Sequence, residues 1–236
     1  MSPFPFQRLQ AELANIISHT PAGERLPSEP VLAQRLGVSR ATLREAMRGF
    51  EAQGLVRRRQ GAGTFVIGQV AVLESGLEVL ESLETLAKRK NMDIAVRYPH
   101  IEEISADQET AHALNVPIGT PLTHIQRVIL TDNRPIAYLI DILPKDILNP
   151  KDLPEKFGGS VLDYLLQRGD ALTISRADIS ATNASTEVAK AMEIQRDDVL
   201  LKFTSRLYSA SGRIVDYSHS YFLPGYFHFH VVRKVG

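Results

Sequence analysis

The residues best suited to chemistry in this 236-residue chain fall into three groups. The first is cationic. Arg35, Arg40 and Arg44 stand in one stretch, and Arg57, Arg58 and Arg59 in the next, beside Gly61 and Gly63. Arginine presents a planar fork that matches phosphate oxygens and guanine edges. The second is Gly158-Gly159-Ser160. A serine opening a helix after two glycines leaves backbone N–H groups beside a hydroxyl, which suits an anion and equally an ordinary helix cap. The third comprises Asp216, His219, His228 and His230. Asp216 or His219 could move a proton, and a His-x-His pair joined by His219 could hold a metal. The chain has no cysteine, which excludes disulfides, a thiol nucleophile and cysteine-ligated metal sites. No nucleophile–base pairing and no metal motif is recognisable, so the expectation is no catalytic residue, no metal and no cofactor.

Charge separates these groups. Residues 1–68 hold nine arginines, no lysine and five glutamates, a surplus of four positive charges; the remainder carries the compensating negative surplus. An anionic partner is therefore expected for the first part alone. The N-terminus has no basic start followed by an apolar run, and no apolar stretch approaches the roughly 18 residues of a membrane span. A soluble, cytoplasmic protein with no membrane contact is the expectation.

The elements that must position the arginines are legible from local signals. Leu9, Leu13, Ile16 and Ile17 recur at helical spacing and predict a helix over 6–19. Ser28 as cap, Pro30 in the first turn and Gly37 as terminator predict a second helix. After Gly37-Val38, Ser39 caps a third, with Leu43, Met47 and Phe50 or Leu55 inward and Arg40, Ala41, Thr42 and Arg44 outward. Two short helices across a glycine turn suit a helix-turn-helix, in which the start of the second helix meets base edges. Residues 54–66 read as a glycine-tipped basic hairpin, a wing able to reach backbone or minor groove. Gly61-x-Gly63 is not a phosphate loop, which would need a Lys-Ser/Thr that is absent.

Beyond residue 68 the pattern changes. Residues 74–90 predict one amphipathic helix, with Leu73, Leu77, Leu80, Leu83 and Leu86 as its stripe. A weak internal repeat follows: Ile104-Ser105-Ala106 and Ile179-Ser180-Ala181 each precede a short helix and a hairpin. Arg127, Arg134 and Tyr138 match Arg206, Arg213 and Tyr217 at an offset of 79 residues. Long antiparallel strands with crossing helices make an α+β, pseudo-symmetric domain. The expected organisation is a winged helix-turn-helix over 1–68, a linker over 69–75 and an effector-binding and dimerisation domain over 76–236.

Residues 5–66 resemble the DNA-binding domain of the GntR family of bacterial regulators, on the segments RLPSEPVLAQRLGVSRATLREAM and GLVRRRQGAGTFV. Pro30 is a departure where the family has a charged residue. The resemblance implies that Arg35, Ser39, Arg40, Thr42 and Arg44 face DNA, and that Gly61 and Gly63 bring the wing, with Arg58 and Thr64, close to it. Residues 74–232 resemble the effector-binding UTRA domain of the HutC branch, similar in fold to chorismate lyase. The carrying segments are VPIGTPLTHIQR, TDNRPIAYLIDILP, GGSVLDYLL, ISRADISA and GRIVDYSHSYF. This resemblance implies a small-molecule pocket lined by Arg127, Ser160 and Asp216. Tyr217, His219, Tyr221 and Phe222 are further candidates, on a strand whose alternate residues face opposite ways. Ile129 and Leu139 stand where many sugar-phosphate-responsive members carry Arg and Glu, which points to an effector less anionic or partly apolar.

The expected function is a homodimeric regulator, most often a repressor in this family, binding palindromic double-stranded operator DNA under control of a small-molecule effector. A lyase-like enzyme and a metal sensor are the competing readings of the second domain.

Overall fold

The computed structural model describes residues 5–21, 23–52, 54–59, 62–67, 72–154 and 157–234. The chain divides into two compact units, 1–72 with 224–228, and 73–223 with 229–236. Gly61 and residues 69–71 of the expected linker lie outside the described residues.

The first unit contains α1 (Pro5–Ser18), α2 (Glu29–Leu36), α3 (Arg40–Ala52), β1 (Val56–Arg59) and β2 (Gly63–Val66). Ser28 is extended before α2, Pro30 lies in its first turn, and Gly37 ends it at φ +65°, a left-handed conformation costly for other residues. Ser39 Oγ accepts from the Thr42 amide at 3.0 Å and starts α3. Strands β1 and β2 pair antiparallel, with Arg58 opposite Thr64. Leu9, Leu13, Ile17, Leu32, Leu43, Phe50, Val56 and Val66 are buried together. Every helix and the hairpin thus give side chains to one core, which fixes the outward face of α3.

The second unit is built on a six-stranded antiparallel sheet. Its strands are β4 (Ala95–Ser105), β5 (Pro121–Thr131), β6 (Arg134–Pro144), β7 (Leu172–Asn183), β8 (Val199–Ser209) and β9 (Ile214–Phe222), in the order β4-β5-β6-β9-β8-β7. The internal repeat is visible in this order. Strand, helix and hairpin occur twice, and the two copies meet between β6 and β9. Asp132 and Asn133, at φ +48° and +60°, form the first hairpin's turn.

Helices α5 (Gln108–Leu114) and α7 (Thr186–Met192) cover one face of the sheet. Their side chains pack with Leu122, Ile142 and Tyr217, and with Tyr138 and Leu200, respectively. Helix α6 (Val161–Arg168) covers the other face, with Val161 and Leu165 against Ile125, Leu143 and Leu207. One expectation is corrected. Residues 74–90 are not a single helix: Leu73–Gly76 form a strand, β3, and only Leu83–Arg89 are helical, as α4. The Leu77 amide donates to the His230 carbonyl at 2.9 Å, and Ser82 caps α4 through the Thr85 amide at 2.9 Å. Leu77 and Leu80 are exposed. A paired strand and a late cap therefore override the heptad-like spacing. β3 shares a two-stranded sheet with β10 (Phe227–His230).

Candidate functional site

The outward face of α3 carries Arg40, Thr42 and Arg44, all exposed, and Arg35 and Ser39 are exposed beside them. Ser39 Oγ lies 2.8 Å from Thr42 Oγ1, so the two hydroxyls are held as a pair at the helix start. The arginines are organised by a residue the sequence reading passed over, Glu29. Its Oε2 accepts from Arg44 Nε at 2.8 Å and lies 3.8 Å from Arg40 Nη2. Its Oε1 lies 3.1 Å from Arg58 Nη2, on the wing. The Glu29 side chain is 20% exposed, while its three partners remain 48–59% exposed. One carboxylate thus fixes three guanidiniums from two elements without removing them from the surface.

On the wing, Gly63 sits at φ +112°, where an added Cβ would meet the Arg25 guanidinium. That glycine is required by the hairpin itself. Thr64 accepts from the Leu26 amide through its carbonyl, at 2.8 Å, which ties the wing to the chain ahead of α2.

The second cluster lies on the α6 side of the large sheet. Arg127 on β5 is directly opposite Leu139 on β6, and Asp141 is two residues further along the same face. Arg127 is 4% exposed. Its Nη2 donates to Asp141 Oδ2 at 2.9 Å, and its Nη1 donates to Glu84 Oε1 at 3.0 Å and to the Gly159 carbonyl at 2.7 Å. Its Nε is buried with no hydrogen-bond partner. Asp216 accepts from the Ile142 amide at 3.2 Å. Burial, with the Asp141 charge adding to it, holds the Asp216 carboxyl well above the usual carboxylate range. Burial also raises Glu84, against the opposing pull of Arg127.

Ser160 is buried and caps α6, accepting from the Asp163 amide at 3.1 Å. Asp163 in turn accepts from Ser82 Oγ at 2.6 Å and Thr85 Oγ1 at 3.2 Å. The starts of α4 and α6 are thereby joined, and Glu84 is carried to Arg127. Arg127, Ser160 and Asp216 therefore belong to one neighbourhood, which also contains Glu84, Asp141 and Asp163. The last three were missed. Asp141 had a signal, a lone carboxylate within the apolar run Ile140-Asp141-Ile142. Glu84 had none, because it looked like the solvated face of a helix.

Tyr217, His219 and Tyr221 are not brought to Arg127. Tyr217 donates to Glu109 of α5 at 3.3 Å, Tyr221 packs with the α7 cluster, and the His219 ring lies 4.7 Å from that of Tyr217. They occupy the opposite face of β9 because side chains alternate along a strand. Burial, aided by the Lys202 charge, lowers His219 to about 4, so it is neutral at pH 7. Phe222 packs against Phe203 and Phe229. Tyr217 instead lines an open cavity of about 780 Å³ with Glu109, His112 and Arg206. Among the described residues no group of three His, Asp or Glu is placed to hold a metal, and no helix is long and apolar enough to cross a membrane.

Comparison with known proteins agrees with this division. The UTRA domain family matches residues 89–228, and the family described as bacterial regulatory proteins, gntR family, matches residues 7–66. The HTH-type transcriptional repressor NagR of Bacillus subtilis (strain 168) is 29% identical over 198 residues, covering 83% of this chain and 79% of its own. The Histidine utilization repressor of Klebsiella aerogenes is 28% identical over 205 residues, covering 86% and 82%. In fold, the chain is similar to the crystal structure of PhnF from Mycobacterium smegmatis, with a TM-score of 0.66 at 21% identity, over 97% of this chain and all of that one. With both family matches falling on the two units just described, the chain belongs to the gntR family of bacterial regulatory proteins, in the branch whose second domain is a UTRA domain.

Proposed function

We propose that the chain is a transcriptional repressor whose affinity for operator DNA is set by a small molecule bound at the Arg127 cluster. The observation that carries the reading is the exposed set of Arg40, Thr42 and Arg44 at the start of α3, organised with Arg58 of the wing around Glu29. Donors at the start of a helix behind a glycine turn are placed to read base edges in a major groove, and a wing arginine is placed to contact backbone. The role of repressor is supported by the names of the relatives. A homodimer would set two such helices about 34 Å apart on a palindromic site. The work is done on DNA, in the cytoplasm.

In the second unit, Arg127, Ser160 and Asp216, with Glu84 and Asp141, are the groups that would meet the effector. Preferential binding to one arrangement of the chain would shift operator affinity by linkage. No catalytic step is part of this reading. Asp216 is engaged by a backbone amide, and His219, the other candidate proton carrier, is on the far face of the sheet.

The test is operator binding by the full chain, on a site selected from random duplex DNA and followed by fluorescence anisotropy across a salt series. Affinity should fall steeply with salt as phosphate counterions are released. Arg40→Ala should weaken binding roughly ten- to a hundredfold with fold and oligomeric state unchanged. Salt-independent binding, or an Arg40→Ala protein that binds like wild type, would refute the assignment.

A further inference from the structure

We propose that the effector of the Arg127 site is a protonated amine that also carries a hydrogen-bond-accepting oxygen. The inference rests on reading that cluster as the effector site and goes beyond it by assigning the ligand's charge.

The cluster is acidic. Glu84 and Asp141 both pair with Arg127, and Asp163 is tied through Ser82 and Thr85 to the start of α4, which carries Glu84. Three of the five Arg127 N–H donors are already committed, to two carboxylates and the Gly159 carbonyl, so its charge is matched by Glu84 and Asp141 before any anion arrives. The start of α6 is likewise taken. Ser160 Oγ is used by the Asp163 amide, and the Asp163 carboxylate sits in the first helical turn, where an incoming anion would otherwise be favoured. A phosphate or free carboxylate entering here would meet acidic oxygens first.

The side chains flanking Arg127 point the same way. Ile129 and Leu139, on the same face, are buried and apolar, so neither position supplies a second cation to an anion. The carboxylate oxygens of Glu84 and Asp141 belong to the more accessible side chains, 22% and 12% exposed against 4% for Arg127. An ammonium group bonded to these oxygens offsets the surplus negative charge. The second feature of the ligand follows from Arg127 Nε, a buried donor without a partner. An unpaired buried N–H is costly, and a ligand oxygen placed against it removes that cost.

The test is thermal denaturation of the full chain at neutral pH with ethanolamine, glucosamine and lysine as cationic probes. Inorganic phosphate, glucose 6-phosphate and citrate serve as anionic probes, with calorimetric titration of each compound that shifts the melting temperature. At least one amine should stabilise the protein. Asp141→Asn and Glu84→Gln should weaken its binding roughly ten- to a hundredfold, the scale of a charge-assisted hydrogen bond. Glu84→Gln lies at the more exposed edge and serves if Asp141→Asn fails to fold. Absence of any amine-induced shift overturns the proposal. Binding of an anion that is weakened by Ser160→Ala also overturns the charge assignment but leaves the site in place. Amine binding unaffected by either carboxylate variant overturns the charge assignment and the site together, and directs attention to the cavity beside Arg206 and Tyr217.

Discussion

Arg127 and Asp141 meet diagonally across neighbouring strands, the guanidinium donating to the carboxylate at 2.9 Å in a place from which both are nearly excluded from solvent. Such a pair is held by its surroundings as much as by its own attraction, because each ion has lost its hydration. Arg127 also neutralises Glu84. Arg127→Met should therefore destabilise the protein by about 3–5 kcal/mol, since it leaves two partly buried carboxylates without their cation. Chemical denaturation checks this. A loss below about 1 kcal/mol would show that the cluster is far better hydrated than its burial implies.

The carboxyl of Asp216 supplies a pH signature. Its affinity for a proton is raised in the folded protein, so the native state holds that proton at pH values where the unfolded chain has released it. Stability contributed by this group is fully present below the ordinary carboxylate value and is lost as pH rises from there through its raised folded value. Asp216→Asn keeps an oxygen for the Ile142 amide and removes the titration. The variant should gain stability relative to wild type as pH rises, measured as the difference between their melting curves from pH 4 to pH 8. A difference that is constant with pH would be evidence against a protonated Asp216.

His219 works in the opposite sense. Its folded value is about 4 against 6.5 for an ordinary histidine, because burial and Lys202 disfavour the charged ring. The unfolded chain thus binds the extra proton first, and stability is lost as pH falls from 6.5 towards 4. His219→Gln should flatten acid sensitivity in that window. The influence of a small molecule bound at the Arg127 cluster on DNA binding should be unchanged, because His219 lies on the other face of the sheet from Arg127.

Glu29 joins α3 to the β1–β2 hairpin. Its pairs are with exposed arginines, and pairs of that kind contribute about 0–1 kcal/mol, so Glu29→Gln should barely change the melting temperature. It should change DNA binding in two directions. Non-specific affinity should rise with the freed positive charge, and discrimination for the selected operator should fall several-fold, because Arg40, Arg44 and Arg58 lose a common anchor. Competition of operator against random duplex DNA measures both. Equal discrimination by variant and wild type would reduce Glu29 to a surface ion pair.

Much of the first unit was legible because its signals are local. Pro30, Gly37 and Ser39 each act within one helical turn of their position, and with Ser28, which is extended at the cap position but makes no side-chain cap bond, they set α2, the turn and α3. The inward spacing of Leu43 and Phe50 then decides which residues of α3 face outward. The same kind of reading failed over residues 74–90, where leucine spacing was helical but Ser82 began the helix eight residues late and Leu77 paired with a distant strand. Local periodicity carries no information about a partner contributed from residue 230.

The second site divides along the same line. Residue type and order brought Arg127, Ser160 and Asp216 to attention through a resemblance, and the 79-residue repeat anticipated paired hairpins. Strand alternation could say that Asp216 and Tyr217 face opposite ways, but not which one shares a face with Arg127. That choice belongs to the register of β5, β6 and β9 and to the packing of α6 on one side and α5 on the other. The sequence by itself determined a basic, helix-turn-helix first part and a pseudo-repeated α+β second part, because both follow from short-range patterns. Only the tertiary structure decided that Glu29 gathers three arginines, and that Glu84, Asp141 and Asp163 turn the surroundings of Arg127 acidic. The groups that meet there are separated by 11 to 43 residues from Arg127 or Glu29 in the chain, and only folding sets their charges close enough to act on one another.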